Sequence, residues 1–351
     1  MNKVLVLGSS IALGVYVPAV WFCNNIKRQG IQCKMIYLES LYTKKKQELI
    51  QKNKLKFHKN FKVAKIAHVI DNKVESSVDT SLKEEFILEC IKNEYDIVVC
   101  FSGFWISIME ELVQRNYIYK DRIKCVHMDA VKSNSWKNVN VPYLDNIWLF
   151  NFDNNKIMYK LSSFVPKSNE SRNGRIVVHG GGWGMGNYSS MIQQINNRGY
   201  KADIICYYED EYDEEDTVNR YFLLDPNWRP VVGESHFPPL LVYKHNQWCR
   251  INDNPEVSDV LLIIQNAIAV MSKPGGGTLA DSMMTCTPII FLEELAEYEK
   301  KNAQMWTLNG YGMFFDDWIK SNDLSEELLC MTNNLLADMK DVKVLGDEFT
   351  K

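Results

Sequence analysis

An apolar strand closed by glycine, then a helical run, then a second strand: this pattern occurs twice in the chain. It opens the sequence as KVLVLGSS and returns after the midpoint as GRIVVHGGG. A βαβ unit implies parallel strands. At 351 residues the chain has room for about two domains. A polar stretch bounded by Pro and Gly, VPKSNESRNG at 165–174, separates the two units and reads as a linker. The predicted fold class is therefore α/β, two Rossmann-like domains facing a cleft. The expected division is 1–164 for the first domain and 174–330 for the second. Residues 331–351 are expected to form a C-terminal helix or tail that packs back on the first domain.

In the first domain KVLVLGS is a strand, and VPAVWFCNNIKRQG is a helix ending on Gly30 as its C-cap. QCKMIYL is the second strand, and YDIVVCFSG and IKCVHMDA are two more. In the second domain GRIVVHGGG, NYSSMIQQINNRG and KADIICYY read as strand, helix and strand. AIAVMS, GTLADSMMT and TPIIFLE repeat that order. The acidic stretch EDEYDEED at 209–216 reads as a solvated loop, because its spacing matches no calcium loop.

Composition narrows the function classes. Apolar residues make up 46% and charged residues 24%, as in soluble globular proteins. The formal net charge of −4 gives no case for nucleic acid as a partner. Nine scattered cysteines without a C-x-x-C pair read as reduced thiols, so a cytoplasmic location is expected. The apolar opening reads as a strand and turn rather than a cleaved signal segment. Lys44 to Lys65 carries nine lysines, one acid and several apolar residues. That stretch is either a solvated helix and loop or a surface that attracts anionic lipid, in peripheral membrane contact, or an anionic acceptor.

The stretch SKPGGGTLADS at 272–282 carries the chemistry. Gly275, Gly276 and Gly277 end a strand and open a helix. Glycine there lets the backbone approach a ligand, and the helix offers free N–H groups and the positive end of its dipole. These features together suit a phosphate or diphosphate. Asp281, three residues after Thr278, is placed to accept hydrogen bonds from ribose hydroxyls. Two plainer readings stand beside this one. Thr278 and Asp281 form something close to a capping box, and the glycines make a tight turn.

The residues from Ser272 to Gly312 resemble the donor-binding half of the GT-B glycosyltransferases. The nearest likeness is to the group containing plant monogalactosyldiacylglycerol synthase, bacterial diacylglycerol glucosyltransferases and the N-acetylglucosaminyltransferase that makes lipid II. The shared pattern falls on Lys273, Gly275, Gly277, Thr278, Asp281, Pro288, Ile290, Tyr298, Glu299, Asn302, Gly310 and Gly312. The resemblance implies that Gly275 to Gly277 and Thr278 hold a donor diphosphate. It implies Asp281 at the ribose, and Tyr298, Glu299 and Asn302 near the donor sugar. Asp281 replaces a glutamate of the family pattern, and Tyr298 replaces a glutamine. HGGGWGMGN at 179–187 resembles the family's other glycine loop and adds Gly181 and Gly182 to the donor side.

On the acceptor side, LGSSIALGVYVP resembles the family's first loop, which contributes Gly8, Ser9, Ser10 and Gly14. Many relatives carry a basic histidine after the last of these glycines. Here Val15 stands there and cannot take a proton, so either another residue does that work or the acceptor arrives already ionised. His127 and Asp129, at the end of a later strand, are the candidate catalytic bases, since alternation points both to one face. The alternative for them is a buried polar residue and a local cap. Trp105 and Trp136 are either acceptor-pocket or core residues.

The implied activity is inverting transfer of a sugar from a nucleoside-diphosphate sugar, uridine-linked, to a hydroxyl of a lipid or small molecule. The cosubstrate is that sugar nucleotide, with no cofactor and no metal. Two alternatives remain open at this point. One is a catalytically degenerate GT-B protein that binds a nucleotide as a partner subunit. The other is a sugar-nucleotide epimerase on the same scaffold.

Overall fold

The computed structural model describes residues 3–11, 13–69, 77–186, 188–321 and 323–350. The first lobe is built on β1 (Lys3–Gly8), β2 (Gln32–Tyr37), β3 (Ile97–Cys100), β4 (Ile123–His127) and β5 (Asp145–Trp148). They form one parallel sheet in the order β2-β1-β3-β4-β5. Its helices are α1 (Leu13–Arg28), α2 (Lys44–Lys59), α3 (Phe61–Val69), α4 (Thr80–Asn93) and α5 (Ile106–Gln114). Short strands β6 (Phe150–Asn151), β7 (Lys156–Ile157) and β8 (Tyr159–Lys160) lead out of it.

The second sheet holds β9 (Arg175–Val178), β10 (Lys201–Cys206), β11 (Arg220–Leu224), β12 (Leu240–Lys244), β13 (Gln247–Arg250), β14 (Ala269–Ser272), β15 (Ile289–Phe291) and β16 (Gly312–Phe314). Their order is β13-β12-β11-β10-β9-β14-β15-β16. The two pairings that involve β12 are antiparallel and the others parallel. This hairpin extension lies outside the sequence expectation. The helices are α6 (Ser189–Asn197), α7 (Asp259–Ile264), α8 (Gly276–Thr285), α9 (Glu297–Leu308), α10 (Phe315–Trp318) and α11 (Leu324–Met339). Finally β17 (Lys343–Val344) pairs with β8.

The strands that the sequence made plain are buried on both faces. In β1, Val4 and Val6 face one apolar cluster while Leu5 and Leu7 face another. In β9, Ile176 and Val178 face one side and Val177 the other. A parallel sheet covered on both faces reads as a continuous apolar run, here ended by glycine.

One core spans both lobes. Ala19, Val20 and Phe22 of α1 belong to the same cluster as Leu279, Ala280 and Met283 of α8. The C-terminal segment adds to it, since Phe349 lies edge-on to Phe22 with ring centroids 6.0 Å apart. Residues 226–238 cross in the opposite sense. Gly233 N donates to Met35 O at 2.8 Å, and the Tyr37 hydroxyl donates to Pro230 O at 2.9 Å.

One local expectation is corrected. The first helix begins at Leu13 rather than Val17, so Pro18 lies inside it. Pro at a first helical position is the common case. Here the turn before it is held by packing of Leu13 and Gly14 against the second lobe. The lysine-rich stretch is helical, forming α2 and the start of α3, and α2 has no buried residue.

Candidate active site

The carboxyl ends of both sheets open on one cavity of about 880 Å³. Its walls come from the loop after β1, the start of α1, the inner face of α2, the end of β4, the loop after β9, and α8 and α9.

Of the three glycines at the start of α8, Gly276 and Gly277 are there for close approach. Gly275, the N-cap, has an ordinary extended backbone, and none of the three needs a left-handed conformation. A Cβ on Gly276 would stand 2.4 Å from the Met128 carbonyl oxygen, and one on Gly277 2.9 Å from Gly14 Cα. The other glycine loop does the same: a Cβ on Gly182 would stand 3.0 Å from Leu13 N. Gly181 needs its positive φ of 71°. The N-termini of α1 and α8 and this loop therefore meet at one point. Helix N-termini carry partial positive charge and free N–H groups, so their convergence favours an anion.

The N–H groups there divide into used and open ones. Gly276 N–H donates to the Asp129 carboxylate. Gly277 and Thr278 N–H have no hydrogen-bond acceptor recorded among the described residues. Lys273 sits just before them, 4% exposed, with Nζ 3.4 Å from Glu299 Oε1. Glu299 Oε2 accepts from Leu295 N at 2.6 Å, so that carboxylate is held in place.

Asp281 lies on the cavity wall in the second turn of α8. The capping alternative fails, because the helix starts at Gly276 and no side chain caps it. No hydrogen bond to the Asp281 carboxylate is recorded among the described residues. Burial alone pushes its pKa up to about 7. Tyr298 lines the same wall, and burial raises its hydroxyl well above the ordinary value.

Asn302 does not line the cavity; it joins the lobes. Its Oδ1 accepts from Ala130 N at 2.8 Å, while Nδ2 donates to Asp129 Oδ1 at 2.8 Å and Pro274 O at 2.9 Å. Asp129 lines the cavity but is 8% exposed, with its oxygens engaged by Asn302, Gly276 and Ser133. Burial pushes its carboxyl up to about 6, against the lowering effect of the Asn302 bond.

The structure does not bring His127 to the cavity. β4 ends at His127, so strand alternation does not extend to Asp129. The imidazole stacks on Trp148 with ring centroids 3.9 Å apart, touches Trp136, and shares a 2.8 Å hydrogen bond with Asn146 Oδ1. Burial pushes its pKa down to about 4. His127 is a core residue, as are Trp105 and Trp136.

On the acceptor side Ser9, Gly14 and Val15 line the cavity, while Gly8 packs beneath, its carbonyl accepting from Trp105 Nε1 at 2.8 Å. Ser9 and Ser10 both bond a carboxylate that the sequence did not single out, Glu39, in the turn after β2. Other wall residues missed by sequence reasoning are His179 and, on α2, Lys46, Ile50 and Phe57. Phe57 stacks on Trp183 of the glycine loop with centroids 5.8 Å apart. An acid immediately after the apolar strand QCKMIYL was the available signal for Glu39. Among the described residues no group of three or more His, Cys, Asp or Glu side chains is arranged to hold a metal ion.

No protein-family model matches the chain, and no curated protein matches it by sequence. Solved structures do match in shape over nearly the whole chain. Acinetobacter baumannii MurG is similar with a TM-score of 0.53 at 10% identity, covering 100% of this chain and 98% of its own. SsfS6, a glycosyltransferase of Streptomyces sp. SF2575 complexed with thymidine diphosphate, gives 0.55 at 7% identity, covering 98% and 97%. Arabidopsis thaliana UGT89C1, complexed with UDP-L-rhamnose, gives 0.51 at 10% identity, covering 97% and 93%. The fold is the GT-B arrangement of two Rossmann-like domains facing a cleft.

Proposed function

We propose that this protein transfers a sugar from a nucleoside-diphosphate sugar, uridine-linked, to a hydroxyl of an apolar acceptor, with inversion at the anomeric carbon. The observation that carries this reading is the meeting of the α1 and α8 N-termini with the Gly181–Gly182 loop, beside Lys273 and one turn from Asp281. The diphosphate lies against Gly277 and Thr278 N–H, and Asp281 takes the ribose hydroxyls. As the sugar leaves, negative charge grows on the diphosphate, and preorganised N–H donors stabilise it without reorganisation. Two of the structural neighbours were solved with nucleotides of this class bound.

Asp129 acts here as a latch. Together with Asn302 it ties the end of β4 to α8 and α9, which fixes the lobes and keeps water from the donor. The apolar acceptor lies along Val15, Val17, Ile50 and Phe57. The outer face of α2 exposes Lys45, Lys52, Lys56 and Lys59 with Leu55 at 40% exposure. This composition suits an anionic membrane surface as the source of a lipid acceptor. No helix among the described residues is long and apolar enough to cross a membrane.

The test is turnover. Purified protein is incubated with a panel of UDP- and dTDP-sugars and a series of long-chain alcohols and phenols. Released nucleoside diphosphate that depends on the alcohol supports transfer. Binding of a donor with no release, under any acceptor or with water alone, would favour a nucleotide-binding partner subunit instead.

A further inference from the structure

Val15 occupies the position where a basic histidine is expected, so the acceptor proton needs another destination. Among the described residues five carboxylates line the cavity: Glu39, Asp129, Asp281, Glu297 and Glu299. Inverting displacement places the attacking oxygen and the departing diphosphate on opposite sides of the anomeric carbon. A base must therefore stand away from the α8 N-terminus. Asp129 accepts from Gly276 N–H at that terminus. Asp281 lies on the same helix, and Glu299 is held by Lys273 and Leu295 N. Glu297 is exposed at the start of α9. Glu39 comes from the first lobe, in the turn after β2, and its carboxylate is bonded by the Ser9–Ser10 loop rather than by α8 or α9.

Glu39 is 7% exposed and firmly placed. Its Oε1 accepts from Ser9 Oγ at 2.5 Å, and its Oε2 accepts from Ser10 N at 2.6 Å and Ser10 Oγ at 3.0 Å. Gln47 Nε2 of α2 donates to the Glu39 carbonyl oxygen at 3.0 Å, which ties the turn to the acceptor wall. Tyr37 and Tyr42 flank it in sequence, and burial, with the Glu39 charge adding to it, raises both hydroxyls. Burial raises the Glu39 carboxyl above the ordinary range, which makes it a stronger base than an exposed carboxylate. Ser9 also lines the cavity. Its hydroxyl hydrogen is committed to Glu39, so its oxygen lone pairs are available to a second hydroxyl.

We propose that Ser9 and Glu39 form a proton-accepting pair for the acceptor alcohol, with Ser9 Oγ touching the substrate hydroxyl and Glu39 receiving the proton. The proposal rests on the transfer reading above. As the acceptor oxygen bonds the anomeric carbon, its hydrogen passes to Ser9 Oγ, and the original Ser9 hydrogen passes to Glu39 Oε1. The bond from the anomeric carbon to the diphosphate oxygen breaks, and that oxygen keeps the electron pair. Glu39 ends protonated and returns the proton to solvent.

The experiment compares wild type, Ser9→Ala, Glu39→Gln and the double variant in alcohol-dependent release of nucleoside diphosphate from the UDP- and dTDP-sugar panel. Donor affinity is measured on each by calorimetry. Both single variants should lose about 100-fold or more in kcat, with donor KM and affinity unchanged. The double variant should fall no further, because the pair acts as a unit. Either single variant turning over at the wild-type rate overturns the pair while leaving the transfer reading intact. A wild-type protein that binds none of these donors overturns the transfer reading, and the pair with it. If Glu39→Gln fails to fold, Ser9→Ala decides the matter, since it removes only one hydroxyl.

Discussion

Asp281 gives the sharpest test of the donor site. Its carboxyl lies on the cavity wall with no recorded hydrogen-bond partner, and burial holds its pKa near 7 in the free protein. Ribose hydroxyls donate to the ionised carboxylate and favour it, so donor binding should pull a proton off. A group with a raised pKa is ionised only above that pKa, so affinity should rise with pH through about 7. Taking a free pKa of about 7 and ionisation as a condition of binding, affinity at about pH 6 should be about 10-fold weaker than at about pH 8. A UDP-sugar is the proper probe, because it has no terminal phosphate and its diphosphate stays fully ionised over this range. Calorimetry in buffers of different ionisation enthalpy reads the released proton directly. Asp281→Asn should bind more weakly at high pH and lose the pH dependence, which separates Asp281 from Asp129, whose carboxyl titrates lower at about 6. Affinity that strengthens as pH falls would mean that the carboxyl faces phosphate, and the ribose assignment would be wrong.

Other perturbations have equally definite outcomes. Gly277→Ala places a Cβ 2.9 Å from Gly14 Cα, backbone that has no room to yield, and should cost ~1–3 kcal/mol in denaturant unfolding while weakening donor affinity. Asn302→Ala strands Ala130 N–H and one side of Asp129, and should lower stability by ~1–3 kcal/mol in the same assay. Asp129 binds a proton in the folded state up to about pH 6, whereas the unfolded group releases it near pH 4. Its contribution therefore falls as pH rises between those values, by ~1.4 kcal/mol per unit, and Asp129→Asn should flatten that segment of the stability profile. Replacing Lys52, Lys56 and Lys59 together by Glu should abolish co-sedimentation with anionic phosphatidylglycerol vesicles at low salt, with ~1 kcal/mol lost per lysine. Unchanged sedimentation would remove α2 as a membrane-facing surface.

The parts of the fold that could be read from the sequence are those where local pattern and burial agree. β1, β9 and β14 are apolar on both faces and end in glycine or just before it, so their strands and the α8 turn stand out. The lining of the candidate site was legible where one short segment supplies it, as in Gly275 to Asp281. It was not legible where chemistry depends on distant segments meeting. Asp129 and Asn302 lie 173 positions apart, and nothing local distinguishes a latch from a base. His127 looked available because Trp136 and Trp148, which enclose it, arrive with the chain that returns to β5. Glu39 gained its role from Ser9, 30 positions earlier, through the pairing of β1 with β2. The α2 helix looked like a solvated charged run because its apolar face is narrow, shared between the cavity, Trp183 and, through Ile50, the first lobe's core.

A crystal structure with an intact UDP-sugar addresses the donor assignment head on. Both phosphate groups are expected in the notch between the starts of α1 and α8, within hydrogen-bond distance of Gly277 and Thr278 N–H. Phosphates bound against any other surface, with those two amides still without an acceptor, would contradict the account.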